Sequence, residues 1–236
     1  MGSKRTLLSV VIPVFNEEDS ISRILTEVEA FLAKKGWVHE IIVINDGSKD
    51  RTGQVVRNWS RVQHPVILLE NIQNRGRGYA VKQGIFSSHG EWILFIDTDG
   101  AAAIRELEEL WPLGPSAVPE YDLAVGSRRL QGSMGKIFTG LANLILWTGI
   151  SDLTCGFKCF HREAALKVFR NQRIERWGFD AEILFLARKN HFRIKEFPVH
   201  WNDADKGHVY FFRDTITSFW ELFKIRWNQL LGYYRD

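Results

Sequence analysis

The feature that most restricts how this chain can fold is a repeated unit. A short apolar run stops at a polar residue, and a helical stripe follows. Leu7 to Val14 is a nearly continuous run rich in Val and Ile, with Pro13 near its end. Ile41 to Ile44 is a second, closed by Asn45-Asp46-Gly47. Val66 to Leu69 is a third, and Trp92 to Ile96 a fourth that ends at Asp97. Apolar runs this short read as strands buried on both faces. Between them, Ser20 to Ala33 carries apolar residues at 21, 24, 25, 28, 31 and 32, a helix stripe with Asp19 or Ser20 as its cap. Asp50 to Trp59 and Tyr79 to Phe86 read the same way. Strand–helix alternation predicts an α/β fold with a mostly parallel central sheet and flanking helices. Ligands of such sheets bind beyond the carboxyl ends of the strands. Asn16-Glu17, Asp46 and Asp97-Thr98-Asp99 all fall at those ends, and this coincidence is the strongest pointer to a site.

The second half is less regular. Asp122 to Gly126 reads as a strand followed by Ser127-Arg128-Arg129, and Phe192 to Val199 as a strand with Pro198 near its end. Lys136 to Trp147, Glu163 to Phe169 and Asp180 to Lys189 read as helices. Phe212 to Leu231 is a C-terminal amphipathic helix, with apolar residues at 212, 216, 219, 220, 223, 227, 230 and 231. The 236 residues, 45% apolar, allow one sizeable core, and a net charge of +3 gives no reason to expect nucleic acid. Cys155 and Cys159 are expected to be small buried thiols in a reducing compartment, not a metal pair. Met1 to Thr6 has no apolar stretch, so no signal peptide is expected. The longest apolar run, Leu141 to Ile150, falls short of the roughly 20 residues of a spanning helix.

Asp97 and Asp99 are two residues apart in an extended chain, so both carboxylates can face one cation. Hard cations such as Mg2+ or Mn2+ prefer those oxygens and leave positions for substrate phosphates. Asp46 before Gly47-Ser48 can accept from a base or ribose, or close an Asx-turn. Arg75-Gly76-Arg77-Gly78, opening a helix, suits phosphate but is also an ordinary basic turn. Asp180 and Glu182 begin a helix, where capping and chemistry compete evenly. Arg128 and Arg129 after a strand are compatible with surface charges.

These residues in this order resemble glycosyltransferase family 2, over nearly the whole chain from Val10 to about Gly232. Pro13-Val14-Phe15-Asn16-Glu17-Glu18, Asn45-Asp46-Gly47-Ser48-Lys49-Asp50-Arg51-Thr52 and Asn74-Arg75-Gly76-Arg77-Gly78-Tyr79-Ala80-Val81 look like its first three motifs. Asp97-Thr98-Asp99-Gly100-Ala101 resembles its metal motif, and Gly126-Ser127-Arg128 follows. Asp152-Leu153-Thr154-Cys155-Gly156-Phe157-Lys158 and Arg176-Trp177-Gly178-Phe179-Asp180-Ala181-Glu182 are the most specific pieces. They point to the branch that glucosylates dolichyl phosphate, beside the polyprenyl-phosphate mannose synthases.

The resemblance implies a GT-A, Rossmann-like catalytic domain over 1–210, followed by the amphipathic helix 211–236. It implies that Pro13, Val14, Asn16, Glu17 and Asp46 hold the nucleoside. Arg77 stands near the diphosphate, and Asp97, Thr98 and Asp99 meet donor and metal. Arg128 and Lys136 meet the acceptor phosphate, and Asp180 and Glu182 border sugar and acceptor. Three departures stand out. Asn45 replaces the first of two aspartates, and Ala101 replaces a further metal ligand of some relatives. Gly207-His208-Val209 stands where a late loop reads Gly-Ser-Lys, leaving Lys206 or His208 as substitutes.

The implied reaction is an inverting, Mg2+- or Mn2+-dependent transfer of a hexose to a polyprenyl phosphate. UDP-glucose is the expected donor and GDP-mannose its rival. An ionised phosphate acceptor needs no strong base, whereas a hydroxyl would need one, with Asp180 the first candidate. A lipid acceptor places the chain peripherally on the cytoplasmic face of a membrane, through the aromatic and basic faces of the helices at 136–147 and 212–231. The alternatives are a soluble family member acting on a saccharide or protein hydroxyl, a sugar nucleotidyltransferase, and a nucleotide-sugar sensor. A nucleotidyltransferase usually has a glycine-rich basic loop after the first strand, where Phe15-Asn16-Glu17-Glu18 is acidic.

Overall fold

The computed structural model describes residues 6–98, 104–111, 120–128, 133–199 and 211–235. Its elements run β1 (Leu8–Val14), α1 (Ile21–Lys35), β2 (His39–Asn45), α2 (Thr52–Val62), β3 (Ile67–Glu70), α3 (Arg77–Ser87) and β4 (Trp92–Phe95). A 3-10 turn then leads into α4 (Leu107–Leu110), followed by β5 (Leu123–Ser127), α5 (Ser133–Leu146), β6 (Lys158–His161), α6 (Arg162–Asn171), α7 (Phe179–Lys189), β7 (Ile194–Pro198) and α8 (Phe211–Leu230).

The strands form one seven-stranded sheet in the order β3-β2-β1-β4-β6-β5-β7. Among the described strands only β6 runs against its neighbours, antiparallel to both β4 and β5. The sheet is therefore mixed and mostly parallel, as the alternation predicts. β6 is absent from the sequence reading. It is four residues long and starts and ends on Lys158 and His161, so it lacks the apolar run that marks the other strands.

Side chains alternate strictly across the sheet. Val11, Ile42, Ile44, Ile93 and Phe95 point to the face covered by α3, α6 and α7. Val10, Ile12, Ile41, Val43 and Leu94 point to the face covered by α1. Each of these ten side chains is fully buried, and each fully buried aliphatic or aromatic contributes about 1.5–3 kcal/mol. Gly84 lets α3 lie close on the sheet. A Cβ there would meet Val11 Cγ1 at 2.3 Å and Ile44 Cδ1 at 2.7 Å, so Gly84→Ala would lift α3 and the arginine at its start. The expected cap of α1 is not formed: Ser20 precedes the helix, but its hydroxyl turns to Glu17 and makes no side-chain cap bond. The helix ends instead on Gly36, in the left-handed region at φ 64°, whose N–H donates to Leu32 and Ala33.

Cys155 and Cys159 are buried and unbridged. Burial pushes the Cys155 thiol up to about 11 and the Cys159 thiol well above its ordinary value, so both are unreactive packing groups.

The C-terminal helix packs on the core through Leu222 and Ile225, outside the predicted stripe, and through the part-buried Phe219 within it, while Trp220, Phe223, Trp227 and Leu230 of that stripe are exposed. Arg226 fixes the orientation, its Nε donating to the Ile145 carbonyl at 2.5 Å and its guanidinium lying 5.1 Å from the Trp147 ring centre. Among the described residues no helix is long and apolar enough to cross a membrane.

Candidate active site

β1 and β2 end side by side, with Val14 opposite Asn45, so Pro13 and Val14 lead directly into the loop that follows β1. That loop is sewn to the loop after β2. Asn16 takes a left-handed φ of 57°, which asparagine tolerates. Its N–H donates to Ser48 Oγ at 2.9 Å and its side-chain oxygen accepts from Lys49 N at 2.9 Å. Glu17 N donates to Thr52 Oγ1 at 2.8 Å. Asn45 accepts from Ser48 N at 3.1 Å and donates through Nδ2 to Glu70 Oε1 at 3.2 Å. An aspartate at position 45 could not make that second bond.

Asp46 reaches across to the loop after β3 instead of closing an Asx-turn on its own loop. It is 3% exposed, and its carboxylate accepts from Asn71 Nδ2 at 2.8 Å, Arg75 N at 3.1 Å and Gly76 N at 2.7 Å. It thus holds the loop that delivers Arg77 to the start of α3.

Arg77 is the hinge of the charged centre. Its Nε donates to Asp97 Oδ1 at 2.7 Å, and its Nη1 bonds to Asp180. Lys158, fully buried at the start of β6, donates to Asp180 Oδ1 at 2.6 Å and to the Cys155 carbonyl at 2.5 Å. The result is a chain of alternating charge, Asp97–Arg77–Asp180–Lys158, that is formally neutral. Burial works against the charge of Arg77, but Asp180 and Asp97 outweigh it and hold the guanidinium more firmly protonated than usual. Asp97 keeps about a quarter of its side chain exposed. Its other oxygen rests against Gly156, where a Cβ would fall 1.8 Å away. Thr98 is buried beside it.

The reversed strand explains this convergence. Lys158 pairs in register with Phe95 at the carboxyl end of β4. Because β6 is antiparallel, its amino end, and with it the loop 152–157, reaches the edge where β4 stops. Arg128, just after β5, meets that loop too. Its Nε and Nη2 clasp Asp152 at 2.7 and 2.8 Å, and Nη2 also reaches Thr154 Oγ1 at 2.6 Å. Arg128 is thus oriented by Asp152 and is not a free surface charge. Asp152 has no exposure, and burial pushes its carboxyl up, but the bonds and charge of Arg128 outweigh this and hold it below the ordinary range.

Glu182 is not brought to this centre. Residues two apart on a helix point about 200° away from each other, so Asp180 and Glu182 face opposite ways. Glu182 is fully buried and accepts from Ile174 N at 2.8 Å, from Arg173 N at 3.0 Å and from the Tyr234 hydroxyl, so it braces the turn before α7 and the C-terminal segment. Burial pushes its carboxyl up. Asp99, Lys206 and His208 lie outside the described residues, and Lys136 lies in α5 with its side chain outside them. Sequence reasoning assigned no role to Lys158, Asp152 or Gly156. All three belong to the Asp152–Lys158 segment, whose mix of one acid, one base and a glycine among apolar residues was the available signal.

The donor set at Asp97 fits a hard divalent cation. It offers, among the described residues, a part-exposed carboxylate beside an arginine that suits a diphosphate. Among the described residues no group of three metal-ligating side chains includes it, and Asp99, the expected second ligand, lies outside them.

Residues 9–177 match the description "Glycosyl transferase family 2". A dolichyl-phosphate beta-glucosyltransferase of Trichomonas vaginalis is 40% identical over 82% of this chain, which spans 63% of that protein's length. The dolichyl-phosphate beta-glucosyltransferases of Dictyostelium discoideum and Homo sapiens are 34% and 32% identical over 97% of the chain, covering 76% and 77% of theirs. Among solved structures, glucosyl-3-phosphoglycerate synthase from Mycobacterium tuberculosis, in complex with Mn2+, uridine-diphosphate and phosphoglyceric acid, aligns with a TM-score of 0.69 at 18% identity. It covers 98% of this chain and 79% of its own. Mannosyl-3-phosphoglycerate synthase from Rubrobacter xylanophilus aligns at 0.68 and 17% identity, over 97% of this chain and 76% of its own.

Proposed function

The chain belongs to glycosyltransferase family 2 and has the GT-A fold, and from that premise we propose that it transfers glucose from UDP-glucose to dolichyl phosphate or a like polyprenyl phosphate, with inversion. The observation that carries the reading is the placing of Arg77, Asp97 and Arg128 around one strand end, in a chain similar along 97% of its length to dolichyl-phosphate beta-glucosyltransferases.

The nucleoside lies over the sewn loops at Asn16, Glu17 and Asp46, and the diphosphate lies toward Arg77. Asp97, with Asp99, would hold Mg2+ or Mn2+, which would supply positive charge to the diphosphate oxygens. Arg77, on the same edge, stabilises the charge that grows on the departing UDP. Arg128, held in one orientation by Asp152, positions the acceptor phosphate. A phosphate oxygen attacks the anomeric carbon, the bond from that carbon to the diphosphate breaks, and UDP leaves. The acceptor is already ionised, so no proton has to be removed. Asp180, bonded by two cations, serves as an anchor for Arg77 and Lys158 and is poorly suited to act as a base.

The acceptor lies in a membrane, and the exposed Trp147, just after α5, with Trp220 and Trp227 on α8 support docking at its cytoplasmic face. Purified chain with Mn2+ or Mg2+, polyprenyl phosphate in vesicles, and UDP-glucose or GDP-mannose tests the proposal through UDP or GDP release. Expected is glucosyl transfer from UDP-glucose that chelation abolishes and that Asp97→Asn lowers by about a hundredfold or more. The Trp220→Ser/Trp227→Ser pair should impair transfer in vesicles but not in detergent. Preference for GDP-mannose, or transfer indifferent to chelation, would overturn the assignment.

A further inference from the structure

At the amino ends of the strands, opposite Asp97, three cation-binding side chains meet. Glu29 comes from α1, His39 opens β2, and His64 follows α2. Glu29 Oε2 lies 3.1 Å from His39 Nε2 and 3.6 Å from His64 Nδ1, and all three atoms fall within 4.8 Å of one another. The other nitrogen of His39, Nδ1, is 2.8 Å from the Trp37 carbonyl oxygen. A carbonyl only accepts, so Nδ1 carries the hydrogen. In the neutral ring, Nε2 is then a bare lone pair facing a carboxylate oxygen. Two acceptors at that distance repel unless positive charge joins them, and the His39 side chain is only 9% exposed, so solvent screens the pair poorly. His64 Nδ1 is also buried and has no hydrogen-bond partner.

We propose that Glu29, His39 and His64 form a binding site for Zn2+ or a similar borderline divalent cation, separate from the oxygen-ligand site at Asp97. Two imidazoles and a carboxylate are a zinc donor set, with a fourth position open to water. With zinc–ligand bonds of about 2.0–2.1 Å, the ligand atoms of a tetrahedron sit about 3.3 Å apart. The two contacts of Glu29, at 3.1 and 3.6 Å, lie on either side of that value. The bond from His39 Nδ1 to a backbone carbonyl is the kind that sets a ring for ligation through Nε2. The His64 ring is stacked on His39, with centres 5.3 Å apart and planes at 26°, and must swivel to aim its lone pair. Its 40% exposure gives room for that turn and a route for the ion. The bound ion ties α1, β2 and the end of α2 together, so it stabilises the fold by linkage. None of this depends on the activity proposed above.

The test uses the full chain stripped of metal and titrated with Zn2+, and with Co2+ as a visible probe of coordination. Expected is one tight Zn2+ per chain, a thermal midpoint raised by Zn2+, and a tetrahedral Co2+ spectrum that Zn2+ displaces. Loss of an outer-shell hydrogen bond already costs ten- to a hundredfold in metal affinity, so His39→Gln and His64→Gln should each weaken binding by about tenfold or more. Asp97→Asn should leave it intact. His64→Gln alters a half-exposed side chain, so a folding failure of His39→Gln does not spoil the test. Absence of saturable binding, or affinity unchanged in His64→Gln, would overturn the site and leave His39 and Glu29 as an ordinary ion pair.

Discussion

The two ends of the sheet's carboxyl edge are held together by different chemistry. At the β1–β2 end, Asn16, Asn45 and Asp46 bind backbone N–H groups of the loops they face, and even the Asp46 carboxylate is balanced mainly by peptide dipoles. At the β4–β6–β5 end, charge meets charge: Arg77 and Lys158 with Asp180, Arg128 with Asp152. Losing a neutral hydrogen bond costs about 1 kcal/mol, whereas breaking a buried ion pair strands an ion and costs about 3–5 kcal/mol. The first end should therefore tolerate single changes that the second does not.

The sharpest way to break this comparison is Asp180→Asn, which leaves Lys158 fully buried beside an amide. The expected loss is about 3–5 kcal/mol in urea unfolding, much of it recovered when Lys158→Met is added and no stranded charge remains. Transfer per folded molecule should stay within about tenfold, a cost near 1.4 kcal/mol, because the proposed transfer to an ionised phosphate needs no base. A stability loss below about 1 kcal/mol would erase the difference between the two ends.

Next in size is Arg128→Met, with an expected loss of about 3 kcal/mol, because Thr154 N still donates to Asp152. Here pH gives a sign. In the parent chain the Asp152 carboxyl sits below its ordinary 3.8, so its stabilisation is present above that value and fades as pH falls through the lowered one. Without Arg128, burial is opposed only by the more distant charge of Lys158 and the bond from Thr154 N, so the carboxyl rises, and the dependence is expected to reverse: stability falls as pH climbs through the raised value. Unfolding midpoints from pH 3 to 7 should therefore converge toward the acid side, and parallel curves would refute the pairing.

The smallest expected effect is Asn45→Asp, which restores the residue usual in the family. It sets a carboxylate against Glu70, but Arg57 also pairs with Glu70 and Ser48 N still donates, so the cost should be about 1 kcal/mol or less by thermal melting. A loss above about 3 kcal/mol would place this end in the same class as the other.

The same contrast explains what the sequence discloses. The parallel half was legible because each strand is an unbroken apolar run that ends on the residue of interest, as Asp46 and Asp97 do. β6 was not, because Lys158 sits where a buried strand should be apolar. Its charge is acceptable only because Asp180 and the Cys155 carbonyl lie within reach, a fact of tertiary structure. Glu182 was misdirected for a related reason. Two acids one residue apart suggest a shared task, but a helix turns them to opposite sides, and only Asp180 reaches the centre. In α8 the stripe was visible, and only the fold divides it, since Phe219 joins Leu222 and Ile225 in the packing while Trp220 and Trp227 are left outside.

β6 also sets an order of events during synthesis. It lies between β4 and β5 in the sheet but follows β5 in the chain. β5 therefore has no partner on its β4 side until Lys158–His161 emerges from the ribosome and slots between them, whereas β1 to β4 can pair as they appear. The β1–β2 edge can thus be built early, while the charged centre closes only when β6 and then Asp180 arrive. A nascent chain halted after β5 would carry the loops after β1 and β2 beside an unpaired sheet edge and an open charged centre.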